Sequence, residues 1–514
     1  MSSRVEKSKR NAKYGIASQI LYLILAFILR IAITRSLGIV ALSLNGLFSE
    51  VLSILSLAEM GVGLAITYNL YEPLAKGDQQ RVAQIMNLLK RFYRAIFWFI
   101  MITGLALAPW IQKLVNDIQV SLPYLRLVYV LFVFQTAAGY FFSYKTLLLT
   151  ADQNAYVQSK LNLIWRSIFF GISLVAVVVL RNYIVYLISE SMFYLVFYWI
   201  CDRKISGMYP YLSSNEQLPE EDKKKILTGV KQMFVGKLSN KILNSTDNIL
   251  ISLLVGTSYV GVYSQYSMFT NGFLRLFSSL NESIVGSVGN LIASESPEKV
   301  RKTLDQSTYM FFLAAIFCGS CLYAGIDPFL KAVMGKDYLL PRAVIALAVL
   351  NMMYEALKMP LWTYFSAAGL FREDQWISLS GAILNVIVSV WWGRISGMTG
   401  IFAGTFVSLL LMQICKAAVI ARRFPDGKSA GKMLGRWAVY LALFVLSLRL
   451  NDWFTLWASI QVIPGIAEFA IRVIIAALIS LALGVLPFLR TEEFTYARGF
   501  ISQIVRRKTG RSGS

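Results

Sequence analysis

The run RSLGIVALSLNGLFSEVLSILSLAEMGVGLAI, residues 35–66, decides the fold class. About 20 consecutive apolar residues cross a bilayer, and beyond Arg35 only Glu50 and Glu59 carry charge in this run. A short turn containing Gly38 leads into a span over 43–68 that ends at Asn69–Leu70. A charged segment follows, NLYEPLAKGD (69–78).

A second stretch has the same plan. LVGTSYVGVYSQYSMFTNGFL begins at 254, and NLIASESPEKVRK closes the stretch at 302, so that Gly256 matches Gly38 and Asn290–Leu291 matches Asn69–Leu70. Each repeat holds six spans, so the copies fall at spans two and eight. An even number gives both the same orientation, and such parallel repeats place a cavity between two bundles related by an axis along the membrane normal.

Composition agrees with this plan. The chain has 514 residues, 56% hydrophobic and 15% charged, with mean hydropathy +0.58. Soluble domains are about 25% charged, so a water-soluble globule is excluded. Histidine is absent, which removes His-based acid–base catalysis, Ser–His triads and most zinc sites. The four cysteines, Cys201, Cys318, Cys321 and Cys415, all lie in apolar runs and read as small buried residues rather than metal or redox ligands. The net charge of +22 does not signal nucleic acid, because the basic residues concentrate in short loops where they set orientation.

Apolar runs occur near 14–34, 43–68, 92–112, 122–144, 161–180, 184–201, 232–254, 259–285, 307–326, 342–364, 376–393, 399–420, 434–449 and 464–489. The pair 232–254 and 259–285 is the most polar and is retained because the charge alternation needs both. With the N-terminus inside, the inner segments hold 32 of the 50 Lys and Arg and the outer segments eight, as the positive-inside rule requires. The expected fold is an all-α polytopic membrane protein with about fourteen transmembrane helices and both termini cytoplasmic. Two pseudo-symmetric six-helix bundles would surround a central cavity, with two extra C-terminal helices. The expected divisions are an N-lobe (1–201), an inter-lobe linker (202–231), a C-lobe (232–420), spans thirteen and fourteen (421–489) and a basic cytoplasmic tail (490–514).

Charges inside spans are costly and face a cavity or a partner, so they are the functional candidates. Span seven carries Lys237, Asn240, Lys241, Asn244, Asp247 and Asn248 at three- and four-residue steps, one polar stripe on a helix. Span eight repeats the logic with Asn271 and Arg275. Span one carries Arg30, deep enough to need a cavity or a carboxylate. Arg30, Lys237, Lys241, Asn244, Asn271 and Arg275 are the candidate contacts for an anionic substrate. Asp247, Glu59 and Glu50 are candidates for a coupling ion or for ion pairs. Glu59 in LAEMGVG could equally hold adjacent helix ends by hydrogen bonds. Glu355 reaches Lys358 at i+3, a self-neutralised pair. Arg166 and Arg472 read as isolated. No metal site and no catalytic group is expected.

The runs 35–66 and 69–78, with NSTDNILISLLVGTSYVGVYSQY (244–266), resemble the polysaccharide-transporter branch of the multidrug/oligosaccharidyl-lipid/polysaccharide (MOP) exporter superfamily, which includes Wzx-type flippases. That resemblance implies a MATE-like bundle of twelve spans plus two in the bacterial cytoplasmic membrane. It also implies a flippase for undecaprenyl-pyrophosphate-linked oligosaccharide repeat units in capsule, exopolysaccharide or O-antigen synthesis. It strengthens Arg30, since flippases of lipid-linked substrates commonly place arginines on the first span. The implied partners are the lipid-linked oligosaccharide, membrane lipids, a polysaccharide polymerase and glycosyltransferases, with no nucleic acid.

Gly427-Lys428-Ser429 has Arg422 where a phosphate-binding loop needs its first glycine, so ATP hydrolysis is not expected. The expected mechanism is alternating access, without a cofactor, driven by H+ or Na+ or by trapping of the sugar outside. Competing readings are a cation-coupled MATE-like exporter of small molecules and a flippase for peptidoglycan or teichoic precursors. A membrane glycosyltransferase or polymerase is disfavoured by short outer loops.

Overall fold

The computed structural model describes residues 4–508 except 60–61, 215, 336–337, 426–429 and 461–464. Every regular element among them is helical. In chain order these are α1 (Arg4–Leu55), α2 (Val62–Lys76), α3 (Gln79–Leu107), α4 (Leu122–Ser143), α5 (Thr146–Ala151), α6 (Tyr156–Val178), α7 (Tyr183–Met208) and α8 (Glu220–Leu254). There follow α9 (Thr257–Ser294), α10 (Pro297–Val333), α11 (Arg342–Ala367), α12 (Phe371–Arg423), α13 (Ala430–Trp457), α14 (Ile466–Val485) and α15 (Glu492–Lys508).

Ten helices among the described residues are long and apolar enough to cross a membrane, and the chain is a multi-pass membrane protein. Two are twice the length one crossing needs: the apolar part of α1 runs 43 residues and that of α12 runs 52. At 1.5 Å per residue these exceed about 60 Å, against a hydrocarbon core of about 30 Å. Each is interrupted by a glycine at positive φ, Gly38 (φ 77°) and Gly397 (φ 58°). In α12 the two legs run back along each other. Asn385 donates to Thr405 at 2.9 Å, Ser389 donates to the Ile401 carbonyl at 3.1 Å, and Lys416 pairs with Asp374 at 2.5 Å. The polar spans at 232–254 and 259–285 are helical, within α8 and α9, but neither is among the ten.

The expected second span is broken. Helix α1 stops at Leu55, a 3₁₀ turn covers Ser56–Glu59, and α2 begins at Val62. Glycines at 61 and 63 are poor helix formers, so LAEMGVG is the weak point of the run. The third span begins earlier than its apolar run, because Asp78 caps α3 by accepting from the Arg81 N–H at 2.9 Å. Helix α10 starts the same way, with Ser296 accepting from Lys299 N–H. The two matched sequence stretches thus share a turn glycine at positive φ, Gly38 and Gly256, and a side-chain-capped helix after the charged segment.

The chain divides into two compact units, residues 1–261 and 262–514. In the first, a core of Ile66, Leu70, Ile85, Leu89, Ile100, Leu148, Phe197 and Ile205 joins α2, α3, α5 and α7. The loop after α3 is tied to the α8–α9 turn: Asn116 N–H donates to Thr257 at 2.8 Å and the Asn116 amide to the Ser252 carbonyl at 3.1 Å, while Ser258 donates to Asp117. In the second unit, Arg342 holds Asp327 (3.1 Å) and Asp452 (3.0 Å) and lies over the Tyr323 ring, joining α10, α11 and α13. Arg436 joins α13 to α10 through Asp305 (2.5 Å) and to α15 through Glu493 (3.1 Å).

Candidate functional site

The break in the second span sits in the wall of a cavity of about 500 Å³ within the first unit. Ser49, Ser53 and Ser56, at steps of four and three, line one side, and Glu59 ends that row. Tyr93 from α3, Gln135 and Tyr140 from α4, and Tyr194 and Tyr198 from α7 line the others. Interrupting a helix leaves backbone groups without intrahelical partners, which membrane proteins tolerate where the break lines a cavity.

Glu59 accepts hydrogen bonds on both oxygens, from the Tyr93 hydroxyl at 2.9 Å and from Tyr140 at 3.2 Å. The two phenol rings meet edge to face at 5.9 Å, and Tyr194 and Tyr198 stack at 6.3 Å. The Gln135 side-chain oxygen Oε1 is buried and accepts no hydrogen bond from the described residues. No lysine or arginine is among the cavity's described lining residues. The site therefore presents a carboxylate, an open amide acceptor and aromatic faces. All three suit a cation or a hydrogen-bond donor.

The other candidates fall elsewhere. Glu50 accepts from Ser53 at 3.1 Å and from Asn248 of α8 at 3.5 Å, so it holds α8 against α1. Asp247 is half-buried on α8. Arg30 is half-buried on the first leg of α1. Asn271 and Arg275 are exposed on α9, in the second unit. The side chains of Lys237, Asn240, Lys241 and Asn244 lie outside the described residues, although their backbone belongs to α8.

Three expectations are corrected. Of the four cysteines, Cys201 is buried, Cys318 and Cys321 are half-buried, and Cys415 is exposed. Arg166 is not isolated: it pairs with Glu190 at 3.0 Å and lies 4.7 Å from the Phe193 ring, while Ser173 donates to the other Glu190 oxygen at 3.0 Å. Arg472 pairs with Glu468 at 2.5 Å, one helical turn away. For both arginines the needed acid stood in the sequence, and Glu468 lies at i−4. The Glu355–Lys358 pair forms as expected, at 2.7 Å. Sequence reasoning missed the four tyrosines and Gln135. Only the Tyr194/Tyr198 spacing, one turn apart on α7, signalled a shared face.

The MatE family model matches residues 233–391. Among solved structures, the lipid II flippase MurJ in an inward closed conformation superposes with a TM-score of 0.68 at 11% identity, covering 93% of this chain and 99% of that one. The chain has the MATE and MurJ fold. An inward-facing multidrug resistance MATE transporter of the MOP superfamily gives a TM-score of 0.61 at 14% identity, over 78% of this chain and 95% of that one. A MOP-superfamily transporter from Pyrococcus furiosus, described by the reversed polarity of its binding pocket, gives 0.55 at 12% identity, over 79% and 93%. No curated protein matches the sequence. The structures that share the MATE and MurJ fold are described as transporters and a flippase, not as enzymes.

Proposed function

We propose that the protein is a secondary transporter that moves a lipid-linked saccharide precursor across the cytoplasmic membrane by alternating access, with the Glu59 cavity taking up the driving cation. The observation that carries this reading is a carboxylate at a helix break, inside a cavity whose described lining has no basic residue. Broken helices near a site are where transporters bind coupling ions. A proton or Na+ entering there would exchange phenol hydrogen bonds for its own contact with the carboxylate.

If both legs of α1 and of α12 cross, and α8 and α9 cross beside the ten candidates, the chain would make fourteen crossings. Two six-helix bundles and two extra C-terminal helices would then compose the molecule. Likeness to MurJ extends over 93% of the chain and likeness to the MATE transporter over 78%, which favours a lipid-linked substrate. On this reading Arg30, Lys237, Lys241, Asn244, Asn271 and Arg275 hold the pyrophosphate and sugar by charge-assisted hydrogen bonds. The structure that this chain resembles over most of its length is described as a lipid II flippase, which favours a peptidoglycan-type precursor as the headgroup; an oligosaccharide repeat unit, with a polymerase and glycosyltransferases as partners, is the alternative. A second reading, export of small organic cations, is supported by the carboxylate and tyrosine faces of the same cavity.

Proteoliposomes holding a fluorescent polyprenyl-pyrophosphate saccharide test both. Translocation that accelerates under an imposed H+ or Na+ gradient supports the first reading. Gradient-driven movement of a cationic dye, with none of the lipid, replaces it with the second. Arg30→Glu, Lys241→Glu and Arg275→Glu should each stop translocation while leaving the protein in the membrane. Full activity from all three removes the anion contacts.

A further inference from the structure

The stretch linking the two expected lobes lies along α3. Arg81 pairs with Asp222 at 2.6 Å, and Gln80 and Gln84 donate to Glu216 at 2.6 and 3.2 Å. Asn87 donates to the carbonyls of Ser214 (2.7 Å) and Glu216 (3.0 Å). One turn further along α3 the strap and the helix part, leaving a cavity of about 300 Å³. Leu88, Phe92, Ala95 and Leu218 form an apolar wall, and the polar lining comes from Gln84, Asn87, Arg91, Gln217 and the paired Glu220 and Lys223. Arg91, Ala95, Trp98 and Ile102 follow at steps of four, three and four, so they share one face of α3. Trp98 and Ile102 are 58% and 64% exposed, as lipid-facing residues are.

The charges at the water end are unequal. Arg91 and Arg94 are exposed, and no described carboxylate pairs with either. The acids nearby are engaged: Asp222 by Arg81, Glu220 by Lys223 at 2.9 Å, and Asp202 by Lys145 at 2.7 Å. Arg94 and Lys145 both lie close enough to Lys90 to repel its ammonium, and Asp202 attracts it. The positive-inside bias puts this end of α3 at the cytoplasmic surface. Guanidinium forks above an apolar groove match an anionic headgroup with acyl chains.

We propose that an acidic phospholipid of the inner leaflet seats its phosphate at Arg91 and Arg94, lays its acyl chains along Trp98 and Ile102, and holds the linking strap on α3. The test uses the purified full-length chain in vesicles of phosphatidylcholine with and without phosphatidylglycerol. Phosphatidylglycerol should raise the melting temperature. The double variant Arg91→Gln/Arg94→Gln should lose at least half of that rise, and Arg498→Gln, on α15, should keep it. A full rise in the double variant overturns the proposal, as does an equal rise from soluble glycerol phosphate. Native mass spectrometry of the wild-type chain decides the matter should the double variant not fold. Retention of phosphatidylglycerol at least twofold over phosphatidylcholine supports the proposal, and equal retention overturns it.

Discussion

Four acids inside the apolar segments differ in what answers them. Glu190, Glu355 and Glu468 each hold a basic side chain within 3.0 Å, whereas Glu59 accepts from two tyrosines. A carboxylate already neutralised by an arginine is a structural element, and removing one member leaves the other buried and uncompensated. Such a loss costs about 3–5 kcal/mol. Glu190→Ala should therefore lower the melting temperature in detergent sharply, and Glu190→Gln with Arg166→Met should recover most of the loss. Glu59→Gln keeps the size and one acceptor oxygen, and a tyrosine hydroxyl can turn to accept from the new N–H, so it should melt close to wild type. Equal destabilisation by Glu59→Gln and Glu190→Ala would place Glu59 among the structural acids.

Among the elements, the two double-length helices depend on a single backbone position each. Gly397 has φ 58° and ψ −136°, a conformation that costs an L side chain about 1–3 kcal/mol. Gly397→Ala should destabilise the protein by that order in thermal melts. Gly435→Ala, at an α13 position where an added methyl meets nothing within 4 Å, should be neutral or stabilising, since alanine favours a helix by about 1 kcal/mol. Apolar length made most of the spans legible in the sequence, because the bilayer demands it whatever the tertiary packing. The break at Ser56–Glu59 was not read as one, since Leu, Ala and Val around it keep the run apolar. The Glu59 cavity was legible only as a lone acid: Tyr93, Tyr140 and Tyr198 reach it from three helices, and no spacing along one chain segment encodes that meeting. The Arg166–Glu190 pair was hidden for the same reason, joining α6 to α7 across 24 residues.

For the whole molecule, the fold is shared with MurJ and MATE transporters, and the charge bias orients it. Phosphatase fusions after Ser514 should be inactive and fusions after Arg394 active, because the proposed topology puts the first on the cytoplasmic side and the second at an outer turn beside Gly397. The reverse pattern would invert the topology and put Arg91 outside. On the proposed reading, a cation entering at Glu59 drives movement of the lipid-linked group. The most direct measurement compares wild type with Glu59→Gln in proteoliposomes carrying the lipid-linked saccharide, with and without an imposed cation gradient. The gradient should accelerate the wild type and leave Glu59→Gln at its gradient-free rate; equal acceleration of both would rule out coupling through Glu59.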